Sequence, residues 1–160
     1  MANFALTNGS TTNGTQQAVA TTYKSILEVA GATSAPRRGK LYDVLIGTNG
    51  TPADNYMTWE IDRITTTSTG STTTPKVLDP ADAAILAQTV VNSTTEPTVT
   101  ADSAVFMVGV NQRASYRWVA APGSEFVYPA NSSATGANGF AGRVRSGGYT
   151  GTATYNILFQ

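Results

Sequence analysis

Apolar and polar positions alternate with a period of two over much of the chain. That spacing sets one face of a β-strand against a core. Residues 25–31 form a short apolar run ended by a glycine. In residues 38–47, Tyr42, Val44 and Ile46 share one face, and Leu41 and Leu45 share the other. Both faces of this strand are therefore expected to be at least partly covered. Met57, Trp59 and Ile61 alternate with Thr58, Glu60 and Asp62, which predicts a half-buried strand. Turn chemistry fills residues 48–55 between these runs, predicting antiparallel neighbours joined by a loop longer than a tight hairpin. Residues 105–110 are almost continuously apolar, the pattern of a central strand covered on both faces. Alternation returns around Tyr116 and Trp118, and short strands are predicted at 125–129 and 140–145. In the last run Ala153, Tyr155, Ile157 and Phe159 face inward, and Thr152, Thr154, Asn156 and Leu158 face the other way.

Three segments depart from this pattern. Residues 1–22 are small and polar, with Gly9 and Gly14 as break points, and read as an extended arm. Phe4, Leu6 and Val19 give that arm something to bury, either on a neighbouring subunit or not at all if the terminus frays. Residues 65–75 are a run of Thr, Ser and Gly without an apolar anchor and read as a surface loop. One helix is expected near residues 80–90: Asp79 can cap it, Pro80 suits its first position, and Ala83–Gln88 favour it by propensity.

The expected fold is all-β: an antiparallel β-sandwich, read as an eight-stranded jelly roll with that one short helix. An immunoglobulin-like topology shares the same strand pattern. The expected organisation is an arm over 1–22 and a single sandwich domain over 23–160.

Composition changes the picture mainly by exclusion. The 160 residues include no cysteine and no histidine, and formal net charge is zero. Disulfides, thiol nucleophiles, imidazole bases and His or Cys metal sites are thus absent. Zero net charge argues against a dedicated nucleic-acid binder, and no run is long and apolar enough for a membrane span. The first residues lack the charged and apolar regions of a signal peptide, so the chain is expected to be used as synthesised. Asp43, Glu60 and Asp62 are the carboxylates worth weighing as a glycosidase-like pair, and solvated charges on a sheet face account for them more simply. Asp79 with Asp82, or Asp54 with Asn55, offers oxygens for calcium without the dense spacing of a calcium loop. Trp59 and Trp118 share the parity of the apolar residues and are expected in the core, whereas Tyr56 has the opposite parity and is a surface candidate. The only basic clusters are Arg37, Arg38 and Lys40, and Arg143 with Arg145. Sequons at Asn8, Asn13, Asn49, Asn92 and Asn131 are expected in a chain this rich in Asn, Ser and Thr, and no glycan is inferred from them. No enzyme activity, cofactor or metal is expected.

Residues 37–55 followed by Trp59–Arg63 resemble the strand–loop–strand of small virion structural proteins of tailed bacteriophages, and residues 122–130 with 149–159 resemble their closing strands. The resemblance covers about half the chain and rests on strand and turn pattern. It implies a jelly-roll capsid decoration (cement) or auxiliary virion protein, made in the host cytoplasm and carried on the capsid surface. Its implied partners are the major capsid protein and copies of itself, as trimers or higher symmetry, with no direct nucleic-acid or membrane contact. The residues nominated for partner contact are Phe4, Leu6, Val19, Tyr56, Arg37 and Arg38. Two other readings stay open: a coat, tail or fibre subunit, and a carbohydrate- or receptor-binding sandwich that takes a glycan.

Overall fold

A computed structural model describes residues 2–9, 15–32, 37–130 and 138–160. Gly14, Asn13 and Asn131 lie outside the described residues. Twelve strands are present among the described residues: β1 (Phe4–Thr7), β2 (Lys24–Gly31), β3 (Gly39–Asn49), β4 (Tyr56–Thr66), β5 (Thr69–Thr72), β6 (Lys76–Val77), β7 (Ala87–Thr95), β8 (Thr98–Asn111), β9 (Tyr116–Val119), β10 (Phe126–Tyr128), β11 (Gly139–Arg145) and β12 (Thr152–Phe159). They form two six-stranded sheets, and every pairing is antiparallel. The first sheet runs β10-β3-β12-β1-β6, with β9 on the same side of β3 as β10; the second runs β5-β7-β2-β11-β4-β8. The molecule is a β-sandwich, with more strands than the eight expected.

The core between the sheets is built by the predicted alternation. Ala153, Tyr155, Ile157 and Phe159 of β12 are buried, and Tyr155 packs on Trp59 of β4 with ring centroids 5.7 Å apart. Phe4 and Phe159 pair across β1 and β12 at 5.8 Å.

Five expectations are corrected. No helix forms near 80–90. Asp79 does accept the Ala81 N–H at 2.9 Å, but the resulting turn stops at Asp82, and Ala87 already belongs to β7. Few residues are available to offset the cost of helix nucleation, whereas β-branched Thr89 pairs with β2, and Val90 and Val91 find partners on both β2 and β5. The apolar residues of the arm pack on their own chain. Phe4 and Leu6 lie in β1 within the first sheet, and Val19 is buried beside it through its N–H bond to Gly151, so all three belong to this chain's own core. The 65–75 segment is not a bare loop, because its threonines form β5 against β7. β3 and β4 are not sheet neighbours; the loop between them crosses from one sheet to the other. Finally, β8 is an edge strand, not a central one.

The second sheet also curls. In the sheet order β5 and β4 stand four strand steps apart, about 19 Å if the sheet were flat. Only Thr67 and Ser68 join them, a reach of about 10 Å. The sheet must therefore bend until β4 and β5 act as one strand wrapped over the face turned away from the first sheet. That wrap covers Glu28, whose carboxylate accepts the Ser68 N–H at 2.9 Å and the Ser93 hydroxyl at 2.8 Å.

Candidate functional site

Three of the nominated residues meet at one end of the sandwich. Phe4 of β1, Tyr128 of β10 and Phe159 of β12 floor a groove of about 700 Å³, with Ile85 on its wall and Arg37 and Arg38 at its rim. The local sequence explains how the groove is built. Lys40 and Gln160 exchange backbone hydrogen bonds of 2.7 and 2.9 Å, which fixes the C-terminal end of β12 beside β3. The Tyr128 ring lies flat on Gly39, where any Cβ would run into it. The failed helix supplies the wall: extended residues 83–86 pass over the groove and leave Leu86 half exposed. Among the described residues neither Arg37 nor Arg38 has an ion-pair partner. An apolar floor with two free guanidinium groups at its rim suits a protein segment that is partly apolar and acidic.

The other nominees separate. Leu6 and Val19 are in the core, while Tyr56 is 64% exposed at the start of β4. Asp43 is also apart from the other weighed carboxylates, on the outer face of the first sheet, gripped by both Nε and Nη2 of Arg117. This pair lies in a shallow hollow of about 270 Å³ beside Leu45 and Leu158. Of the sequons, Asn8 and Asn92 are buried and hydrogen-bonded to each other at 3.1 Å.

Glu60 and Asp62 do come together. They alternate with the core residues Trp59 and Ile61, so they point to the wrapped face of the second sheet. Arg143 of β11 lies opposite Glu60, and its Nη1 is 3.0 Å from an oxygen of each carboxylate. The Tyr23 ring sits under both Arg143 and Arg145, at 5.0 and 4.8 Å. Glu96 holds the Ser25 N–H and hydroxyl nearby and approaches Arg143 Nε at 3.9 Å. Burial first, then the adjoining Asp62 carboxyl, pushes Glu60 up to about 7, against the lowering pull of Tyr23 and Arg143. Glu28 is raised as well, by burial, although its Ser68 and Ser93 bonds pull the other way. The cluster ties β4 to β11 through the two Arg143 contacts. Sequence reading weighed Glu60 and Asp62 but missed Arg143 as their partner. The signal was there: one arginine on a neighbouring strand of matching parity. Asp79 is occupied as a turn cap, and Asp54 pairs with Arg113 at 3.2 Å. Among the described residues no group of three or more carboxylates is placed to hold a metal ion.

Comparison of the chain with models of known protein families, with curated proteins and with solved structures returns no match in any of the three.

Proposed function

We propose that this chain is a non-enzymatic, jelly-roll-type virion structural protein that binds the outside of a phage capsid as a decoration protein and stabilises the shell by bridging subunits. The observation that carries the reading is the groove: an apolar floor framed by Arg37 and Arg38, open to a partner segment. Exposed apolar side chains outside the groove floor offer further contact points. Leu45 and Val119 lie on the outer face of the first sheet, Leu86 on the groove, Leu78 just after β6, and Met107 on β8, so apolar surface is spread over several sides. Binding the assembled shell and not free subunits stabilises the shell by mass action, and symmetry repeats each weak contact many times. Because Phe4, Leu6 and Val19 belong to the core, the bridging role passes to the groove and the exposed faces.

The test is co-sedimentation of the purified protein with capsid shells that lack it. The double variant R37E/R38E should keep the wild-type melting temperature, because both side chains are exposed, and should lose shell occupancy. Full occupancy by the double variant would reject the groove as the contact. Self-assembly of the protein alone into large particles would instead support the coat or tail reading. The exposure of Tyr56 favours one second reading, a glycan-binding surface; it requires glycan-array binding that Tyr56→Ala abolishes.

A further inference from the structure

The four sheet edges differ sharply. The first sheet ends on β6, of two residues, and on β9 and β10, of four and three. The second sheet ends on β5, of four residues, and on β8, of fourteen. Short edge strands are a standard defence against edge-to-edge pairing, and so are Lys and Pro on the edge. β8 has neither defence, and its bulges, a further one, lie between Thr98 and Phe106, leaving 106–111 regular. It contains no Lys, Arg or Pro, and its one charge is Asp102. Among the described residues its backbone pairs along one side only, with β4.

The inward face of β8 is closed by a row of rings joining the two sheets. Phe106 packs on Tyr116 and Trp118, at 6.2 and 6.0 Å, and Trp118 stacks on Phe126 at 4.4 Å. The outward face carries Met107, 60% exposed. A strand with one apolar face packed on the rings and Met107 on the other thus has, among the described residues, one flank without a backbone partner.

We infer that β8 pairs antiparallel with β8 of a second copy of this chain, joining the two second sheets across a two-fold axis. Length selects the occupant. A head-to-tail contact needs a different free edge to receive β8, and the others offer only two to four residues; β8 itself is the one edge of matching length. Charge agrees. The regular stretch 106–111 is uncharged, with acidic Asp102 before it and basic Arg113 after it. Antiparallel self-pairing brings unlike ends together. Side-chain parity requires residues of one face to meet residues of the same face. A two-fold at Met107 satisfies this, setting Phe106 opposite Val108 of the second copy. The half-buried rings of both copies then approach across the joint.

The test is light scattering coupled to size exclusion over a concentration series. Wild type is expected at twice the 16.7 kDa chain mass. M107K and M107E each place like charges face to face at the axis, and each should raise the dimer dissociation constant by about 100-fold. Both should keep the wild-type near-ultraviolet circular dichroism, because the side chain is exposed. Mixing M107K with M107E should restore a one-to-one dimer. A monomeric wild type overturns the inference. A trimer, or a dimer indifferent to both charged variants, overturns it equally. This experiment needs no capsid, so its outcome is separate from that of the shell-binding test.

Discussion

Glu60→Gln isolates the electrostatics of the wrapped face. In the folded protein Glu60 titrates at about 7, against 4.5 for an unperturbed group. Between these values the native state holds a proton that the unfolded chain has released. The unfolded state thus binds fewer protons, and stability falls as pH rises through this window. The contribution is fully present below about pH 4.5 and gone above about 7. Each pKa unit corresponds to about 1.4 kcal/mol, so the loss is at most about 3 kcal/mol and, given the neighbouring Arg143, of the order of 1–3. Gln mimics the protonated carboxyl and keeps its shape. E60Q should therefore match wild type near pH 4.5 and exceed it by about 1–3 kcal/mol at pH 8, leaving Asp62 with Arg143 to itself. The assay is urea unfolding at half-unit steps from pH 4.5 to 8.5, read as the difference between the two proteins. Glu28 adds a slope of the same sign to both, which the difference removes. A difference that stays flat across the window, or E60Q less stable than wild type at pH 8, would refute the reasoning.

Two further outcomes follow from the packing. Asn8→Ala should cost about 2–4 kcal/mol in chemical denaturation, because the Asn8 amide donates to Asn92 in one sheet and to Ala153 in the other, and accepts the Tyr155 N–H at 2.7 Å. Leu6→Ala should cost about 2–5 kcal/mol, as a buried core leucine does; a change under 0.5 kcal/mol would return the arm to the surface.

The strands at 25–31, 38–47, 57–61 and 152–159 were legible because alternation and turn residues act locally. So were the burial of Trp59 and the exposure of Tyr56, which follow from strand parity. What failed depends on distant partners. Residues 83–88 carry helix propensity, but β2 and β5 capture the chain immediately afterwards. The run 105–110 looks the same whether a strand has one neighbour or two, because hydrophobicity records burial of side chains and not the pairing of backbone. Phe4 and Leu6 announced that they would be buried, without saying against what. The groove was half legible: Phe4, Arg37 and Arg38 were singled out, but only the fold brings them to one place. Glu28 lies inside an apolar strand, and nothing local signals the Ser68 and Ser93 groups that receive it.

The position of β12 bears on how the chain acquires its fold. It follows every other strand in sequence, yet sits in the middle of the first sheet, between β3 and β1. Phe4 meets Phe159 and Asn49 meets Thr152, so the pairings that unite this sheet span most of the chain. Contacts of such long sequence separation form slowly, because loop closure must precede them. Until residues 152–159 are available, β1 and β3 have no common neighbour, and Trp59 lacks the Tyr155 ring it packs against. Closure of the sandwich thus waits on a single strand, and a chain cut short before Thr152 would leave the inner faces of both sheets open to water and to each other's copies.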